Sequence, residues 1–271
     1  MELVAPGAER KRSTAQGYAE DWVSVSRQSS GNKRVALITG AARRIGRVIA
    51  LGLAADGWHV GVHYGTSREA AETLAEEIRA LGVEAVTLAA DLSQSTEARR
   101  LVPRCIDGLG APSCLINNAS LFLDDSLASL DDESWQAHMD VNMRAPVLLA
   151  QSLAANLPAG ATGHVINIVD QRVLRPTPGF FSYSASKAGL WWVTRTMAQA
   201  LAPAIRVNAI APGPVLRSIH QSREEFEAEQ AATLLGHGAS PEDVAAAVRF
   251  LLASASVTGQ MICVDGGQHL A

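Results

Sequence analysis

From Lys33 onward, short apolar segments of the chain alternate with segments of helical periodicity. The apolar segments predict strands at 34–39, 58–64, 83–89, 113–116, 164–169, 205–210 and 260–264. The segments between them predict helices at 45–56, 68–81, 96–107, 131–156, 183–202 and 240–253. This alternation is typical of βαβ units around a parallel sheet. Because no linker or repeat divides it, we expect one doubly wound α/β domain over residues 32–271.

Two prolines carry local predictions within these helices. Pro146 lies inside the 131–156 segment, where the loss of a backbone hydrogen bond predicts a bend. Pro241 follows Ser240, and Asp243 comes three residues after that serine. A serine N-cap with proline in the first turn predicts a helix start.

Residues 1–31 differ from the rest of the chain because they are polar and show little periodicity. They lack the apolar core of a signal peptide. We expect a disordered N-terminal tail, with a misassigned start or a partner-binding arm as alternatives.

The composition argues against several classes of protein. The net charge is −4 with a pI near 6.0, and without a basic stripe this excludes a typical nucleic-acid binder. No apolar run is long enough to span a membrane. The histidines form no metal-binding motif, so we predict no catalytic metal. The odd number of scattered cysteines fits a reducing, cytoplasmic location: Cys105, Cys114 and Cys263.

A glycine-containing loop joins the first predicted strand to the first predicted helix. Gly40 permits a tight turn out of the strand, and Gly46 permits close packing of the helix. The helix N-terminus then offers backbone amides to a pyrophosphate, together with the loop residues Arg43, Arg44 and Ile45. This context predicts a Rossmann-type dinucleotide site, with an ordinary βα turn as the alternative.

The second predicted strand ends without an acidic residue, in the segment from Tyr64 to Ser67. A carboxylate there would repel a 2′-phosphate, so its absence near Arg43 favours NADPH over NADH. Arg68 is close to this end as well, although it is nearly as well explained as a solvated helix residue. After the third strand, Asp91 and Leu92 are candidates for the adenine edge, and Asp91 is equally a candidate helix N-cap.

Tyr183 and Lys187 are four residues apart at the start of a predicted helix, so they share one face. A nearby ammonium favours the phenolate and is expected to lower the pKa of the tyrosine. Such a pair can transfer a proton to the atom made basic by hydride transfer. The position after the fifth strand and a Gly/Pro loop favours this interpretation over a chance spacing.

With these residues, the chain from Arg34 to Gly267 resembles the short-chain dehydrogenases/reductases. The shared motifs are the glycine loop, Asp91, Asn117-Asn118-Ala119, Asn142, Tyr183 with Lys187, Arg206-Val207-Asn208, Pro212-Gly213-Pro214 and Asp265-Gly266-Gly267. The resemblance implies a single doubly wound domain with a seven-stranded parallel sheet, hydride transfer from a nicotinamide, and a homotetramer. Trp191-Trp192 is a candidate subunit contact or a core pair.

The resemblance also implies roles for individual residues. Tyr183 is the acid/base, and Lys187 lowers its pKa and binds the cofactor ribose. Asn142 holds a proton-relay water. The cofactor is lined by Asn118, Ala119, Pro212 and Gly213.

Two departures from the family pattern point to its pteridine reductase branch. Arg44 replaces a loop glycine, and Asp170 stands where the family has a catalytic serine, thirteen residues before Tyr183. That branch has both features and an Asn-Asn-Ala-Ser-x-Phe motif, which here ends in Ser120 and Phe122. The resemblance implies that Phe122 stacks on the pterin and that Arg44 and Ser120 contact pyrophosphate and pterin.

The chemistry of Asp170 agrees with a pterin substrate, because a carboxyl group can accept from N–H groups or pass a proton to a ring nitrogen. We therefore predict an NADPH-dependent reductase of a pterin, of the dihydropterin to tetrahydropterin type. The alternatives are a reductase of another carbonyl or imine, and a non-catalytic NADP(H)-binding sensor. Phe122 is alternatively a loop anchor in the core. The segment after Pro214 up to Ser240 predicts a substrate lid with one small helix.

Overall fold

A computed structural model describes residues 33–271. The predicted tail, residues 1–31, lies outside the described residues. The described chain forms one parallel sheet with helices on both faces. The strands are β1 Val35–Ile38, β2 His59–Tyr64, β3 Ala85–Ala89, β4 Cys114–Asn117, β5 Gly163–Ile168, β6 Ile205–Pro212 and β7 Met261–Val264.

The sheet has seven strands in the order β3-β2-β1-β4-β5-β6-β7, and all neighbouring strands pair in parallel. This confirms the predicted doubly wound α/β fold. The order reverses between β1 and β4, so the connections that leave the carboxyl ends of these two neighbouring strands run in opposite directions. A ligand crevice is expected at that point.

Eight α-helices connect or cover the strands of the described region. They are α1 Arg44–Ala55, α2 Arg68–Ala80, α3 Ser95–Leu109, α4 Asp132–His138, α5 Ala145–Asn156, α6 Phe181–Leu201, α7 Arg223–Ala231 and α8 Pro241–Ala253. Helix α7 is the small helix predicted for the lid. Helix α8 begins at the predicted cap, where Ser240 accepts from the Asp243 N–H in a capping box.

The long helical segment predicted at 131–156 is interrupted, but Pro146 does not cause the interruption. A π-helical turn, Met139–Arg144, separates α4 from α5. Pro146 lies in the first turn of α5, where its missing N–H would have no helical partner in any case. The prediction that Pro146 bends the helix is therefore wrong, and the change of geometry lies at the π turn, which contains Asn142.

Apolar residues of the sheet and helices form two core layers, one on each face of the sheet. Alternate side chains of one strand enter opposite layers: Ile38 packs beneath α1 and α8, and Leu37 packs beneath α3 and α5. Both side chains are fully buried. Because the strands are buried on both faces, their sequences are continuously apolar rather than alternating.

Candidate active site

A cavity of about 1240 Å³ opens at the carboxyl ends of the strands. It is lined by nearly all residues predicted to bind cofactor or substrate: Gly40, Arg43, Arg44, Ile45, Gly46, Ser67, Asp91, Leu92, Asn118, Ala119, Ser120, Phe122, Asp170, Tyr183, Lys187, Pro212 and Gly213. Tyr64 and Asn142 are not among the lining residues. The fold thus brings together residues that are far apart in sequence: the Arg44 side chain, for example, donates to the backbone carbonyl of Arg217, 173 residues away.

The glycine loop is held by hydrogen bonds from the residues that follow β4. Asn118 Nδ2 donates to Thr39 O at 2.9 Å and to Gly40 O at 3.1 Å. Gly40 has a φ of +62°, which a glycine adopts without strain. A Cβ atom on Gly46 would collide with Gly40 O and would lie 2.6 Å from Asn118 Nδ2. Both glycines are therefore required by the geometry of this turn.

His63, which was not predicted from the sequence, supports the same loop. Its Nδ1 accepts from the Gly40 N–H at 3.0 Å, and its Nε2 lies 3.1 Å from Ala90 O. These partners require one neutral tautomer, with the proton on Nε2. Burial lowers the pKa of His63 to about 4, so the ring stays neutral at physiological pH. A polar residue inside an otherwise apolar strand is the signal that could have identified it.

The segment after β2 contributes Thr66 and Ser67 to the cavity wall, which also includes Arg43. Arg68 instead pairs with Glu72 one helical turn away, as expected of a solvated helix residue. Tyr64 packs against the apolar core. Asp91 accepts from the Ser93 N–H at 2.9 Å and closes a turn, so it is not the N-cap of α3.

Arg44 connects the glycine loop to the lid. Its guanidinium donates to Leu216 O at 3.0 Å and to Arg217 O at 3.1 Å. The backbone of Arg44 has a φ of +54°, in the left-handed region that favours glycine. This backbone conformation explains why the family usually has a glycine here. In this chain the strained backbone of Arg44 accompanies two hydrogen bonds to the lid.

Tyr183 and Asp170 meet at the floor of the cavity. The Tyr183 hydroxyl donates to Asp170 Oδ2 at 2.8 Å. Lys187 Nζ donates to Ile168 O at 2.9 Å and lies 5.7 Å from the centroid of the Tyr183 ring. Arg172 adds a backbone N–H, which donates to Asp170 Oδ1 at 2.8 Å.

The pKa shifts in this group correct one expectation. Burial, followed by the Asp170 carboxyl, raises the pKa of Tyr183 well above its ordinary value, whereas the spacing with Lys187 predicted a lowered one. Burial disfavours the charged phenolate, and orientation adds to this effect: the lysine donates to a backbone carbonyl, and the group bonded to the phenol is an acid. Burial also raises the pKa of Asp170, and it lowers that of Lys187 to about 8. Tyr183 is therefore a protonated donor.

Aromatic rings form one wall of the cavity beside Tyr183. Phe122 stacks on Phe180 with centroids 4.4 Å apart and lies 4.6 Å from the Tyr183 ring in an edge-to-face arrangement. The lid residue His220 approaches both phenylalanines, and Arg172 lies 5.1 Å above the Phe180 ring. Phe122 is half-buried and faces the cavity rather than the core. Phe180 and His220 were not predicted, because only the fold brings them to Phe122.

Asn142 is fully buried in the π turn. Its Oδ1 accepts from the Leu121 N–H at 2.8 Å, and its Nδ2 donates to Leu121 O and Ser186 Oγ, each at 3.0 Å. The side chain thus holds the loop that carries Phe122. Ser120 lies in the same loop, with its hydroxyl 3.2 Å from Asn142 Oδ1.

Within residues 33–271, no cluster of histidine, cysteine and acidic side chains could hold a metal ion. Among the helices of the same region, none is both long and apolar enough to cross a membrane.

Comparison with known proteins identifies the family. A model of the short chain dehydrogenase family matches residues 34–228. The chain belongs to this family. Among solved structures, it is 43% identical to FolM Alternative dihydrofolate reductase 1 from Brucella canis, complexed with NADP. The TM-score is 0.83, over 88% of this chain and 95% of that one.

Two further relatives show the breadth of the similarity. A blue fluorescent protein from a metagenomic library, in complex with NADPH, is 33% identical with a TM-score of 0.82, over 88% of this chain and 98% of that one. A 3-oxoacyl-(acyl-carrier-protein) reductase of Synechocystis is 36% identical over 238 residues, which is 86% of this chain and 96% of the relative. The family predicted from the motifs is confirmed.

Proposed function

We propose that the protein is an NADPH-dependent pterin reductase, which converts a dihydropterin to a tetrahydropterin. The observation that carries this proposal is the carboxyl group of Asp170, which accepts the Tyr183 hydroxyl at the foot of an aromatic wall. A flat heterocycle with ring nitrogens needs a stacking surface and a proton relay, and this corner of the cavity offers both.

The residues present fit a nicotinamide dinucleotide. Gly40 and Gly46 permit the tight turn that brings the N-terminus of α1 to the cavity, where its backbone amides suit a pyrophosphate. Arg43 and Ser67 suit a 2′-phosphate at the acid-free end of β2. When bound, the cofactor supplies the hydride. Relatives solved with NADP and NADPH support this assignment.

Reduction of a C=N bond adds a hydride to carbon and a proton to nitrogen. Tyr183, whose pKa is raised by burial, keeps its proton until the ring nitrogen becomes basic. The Lys187 ammonium then stabilises the phenolate that remains. Asp170, whose pKa is also raised by burial, is hydrogen-bonded to the hydroxyl and returns a proton from solvent.

The family contains carbonyl reductases, and the similarity to a 3-oxoacyl-(acyl-carrier-protein) reductase makes a carbonyl substrate the second candidate. A serine hydroxyl suits a ketone oxygen because it donates one hydrogen bond, whereas an ionised carboxylate would repel that oxygen. Asp170 therefore favours the pterin. A non-catalytic NADP(H) sensor is a weaker candidate, because it would not need the bond between Asp170 and Tyr183.

The test is NADPH oxidation with dihydromonapterin, dihydrobiopterin, dihydrofolate, a 3-oxoacyl thioester and simple ketones. We expect turnover with a dihydropterin, and Tyr183→Phe should lower kcat by about 100- to 10,000-fold while NADPH still binds. Asp170→Ser should lose pterin reduction. Turnover of ketones or thioesters alone would refute the pterin assignment, and NADPH binding without any turnover would favour the sensor.

We also propose a homotetramer in the cytoplasm, as the family resemblance implies. Trp192 on α6 is 65% exposed in the single chain, while Trp191 packs against buried residues of β6. An exposed tryptophan on a helix surface suits a subunit contact. Light scattering should give four times the mass of the chain, and Trp192→Glu should reduce it.

A further inference from the structure

Three buried polar side chains form a cluster behind Tyr183: Asp125, His138 and Ser182. Their exposed fractions are 6%, 0% and 0%. Asp125 follows β4, His138 ends α4, and Ser182 is the second residue of α6. The reaction proposed above uses none of them. Burial of three polar groups is costly unless they satisfy one another.

The cluster is not a nucleophilic triad, although it contains the three residue types. The Ser182 hydroxyl donates to Asp125 Oδ2, so its proton is directed towards the carboxylate rather than towards the histidine. The fully buried hydroxyl also has no access to a substrate. The cluster must act through its neighbours.

The hydrogen bonds of His138 allow a single tautomer. Its Nδ1 lies 3.0 Å from Ser134 O, and because a carbonyl only accepts, Nδ1 carries the proton. The same Nδ1 lies 2.6 Å from Ser182 Oγ. The Leu123 N–H donates to Nε2 at 3.1 Å, so Nε2 carries no proton. Burial lowers the pKa of His138, which keeps the ring neutral.

Asp125 determines the direction in which the Ser182 hydroxyl donates. As a carboxylate it only accepts, so the Ser182 hydroxyl donates to it and leaves its own lone pair for His138. The backbone N–H of Ser182 also donates to Asp125 Oδ1 at 3.1 Å. A continuous path of donors and acceptors thus runs from the Leu123 N–H to the Asp125 carboxylate.

The two ends of this path adjoin the two main groups of the site. Leu123 follows Phe122 in the chain, and Ser182 precedes Tyr183. The rings of Phe122 and Tyr183 are 4.6 Å apart. The cluster therefore connects the segment that carries Phe122 with the segment that carries Tyr183.

We propose that Asp125, Ser182 and His138 are positioning residues that set the separation of Phe122 from Tyr183. In this arrangement the Asp125 carboxylate fixes the Ser182 hydroxyl, whose oxygen faces the Nδ1–H of His138, and His138 Nε2 receives the backbone N–H of the loop carrying Phe122. The effect on catalysis rests on the proposed function, whereas the tautomer does not.

The first variant is Asp125→Asn, which keeps the shape but replaces one acceptor oxygen with an N–H donor. The remaining oxygen must serve both the hydroxyl and the backbone N–H of Ser182, so the hydroxyl that faces His138 Nδ1 is held less firmly. Displacing Phe122 by about 1 Å should lower kcat/KM for the pterin by about 100-fold, chiefly through KM, with the Kd for NADPH unchanged. Asp124→Asn, an exposed neighbour, is the matched control and should behave as wild type.

Nitrogen-15 NMR of the histidine rings provides a readout that a merely structural role would not move. Wild type should show His138 protonated on Nδ1, assigned by its loss in His138→Asn. Asp125→Asn should keep this tautomer, which Ser134 O and the Leu123 N–H require, but its Nδ1 signal should shift because the second acceptor, Ser182 Oγ, has moved. An Nε2-protonated or charged ring in wild type would overturn the proposal, even if no variant folds. This measurement requires no substrate, so a failed pterin assay would not affect it.

A double-mutant cycle tests the link between Asp125 and His138. Ser182→Ala leaves His138 bonded to Ser134 O and Leu123, and it removes the hydroxyl through which Asp125 acts on His138. Adding Asp125→Asn to Ser182→Ala should therefore cost little further activity. The same loss in both backgrounds, or a loss of active protein with KM unchanged, would show that Asp125 serves folding only.

Discussion

Arg44 combines a strained backbone with a useful side chain, so substituting it separates the two effects. Its φ of +54° lies in the left-handed region, and its guanidinium donates to Leu216 O and Arg217 O. Arg44→Gly removes both the strain and the two bonds. Arg44→Ala removes the bonds but keeps the Cβ that causes the strain.

The magnitudes can be compared directly. A residue with a Cβ in the left-handed region costs about 1–2 kcal/mol. Each lost bond from the exposed guanidinium costs about 0.5–1.5 kcal/mol, so the pair contributes about 1–3 kcal/mol. In Arg44→Gly the gain and the loss offset one another, and the free energy of unfolding should stay within about 1 kcal/mol of wild type. Arg44→Ala should be less stable than Arg44→Gly by about 1 kcal/mol.

The lid should respond differently from the overall stability, because both variants release Leu216 and Arg217. Urea unfolding measures the stability of the fold. The rate of limited proteolysis within residues 214–231 measures how accessible the lid is. We expect both variants to be cleaved faster than wild type and to show a raised KM for the substrate. The reasoning fails if Arg44→Ala is at least as stable as Arg44→Gly, or if lid cleavage is unchanged in both.

Three further predictions concern the cofactor loop, the buried lysine and the aromatic wall. Gly46→Ala should weaken NADPH binding and destabilise the fold by about 1–3 kcal/mol, because the new methyl group meets Gly40 O; unaltered fluorescence titration and urea unfolding would contradict this. Burial lowers the pKa of Lys187 from 10.5 to about 8, so between these pH values the unfolded chain binds more protons and the contribution of Lys187 to the free energy of unfolding rises with pH. Lys187→Met should lack this rise in urea titrations across pH 8 to 10.5, and an identical slope in both proteins would exclude it. Phe180→Ala should raise the KM for the pterin by removing the ring stacked on Phe122, while Phe180→Tyr should restore it; equal KM values for wild type and Phe180→Ala would argue against the wall.

The fold was predictable because its signals are local. Strand and helix periodicities, the cap at Ser240 and the turn at Gly40 each depend on a few neighbouring residues. The family motifs are also local in sequence, and they identify Asp170 and Phe122, which both line the cavity. Pro146 misled because proline has the same local signature in the middle of a helix and in its first turn.

The environment of each group could not be predicted from spacing. The four-residue separation of Tyr183 and Lys187 correctly placed them on one face, yet it implied a lowered pKa for the tyrosine. The pKa is raised because the phenol is buried and bonded to Asp170. Desolvation and charge depend on what surrounds a side chain, and several elements together decide that.

Local pattern therefore determined the elements, the class of fold and most of the residues that line the cavity, because periodicity and motif spacing are properties of the chain itself. The tertiary structure alone decided which distant residues meet: His63 at Gly40, Phe180 at Phe122, and the cluster of Asp125 with His138 and Ser182. The physical reason is that these contacts join residues from separate elements, and hydrogen-bond direction and burial arise only once the sheet has assembled them.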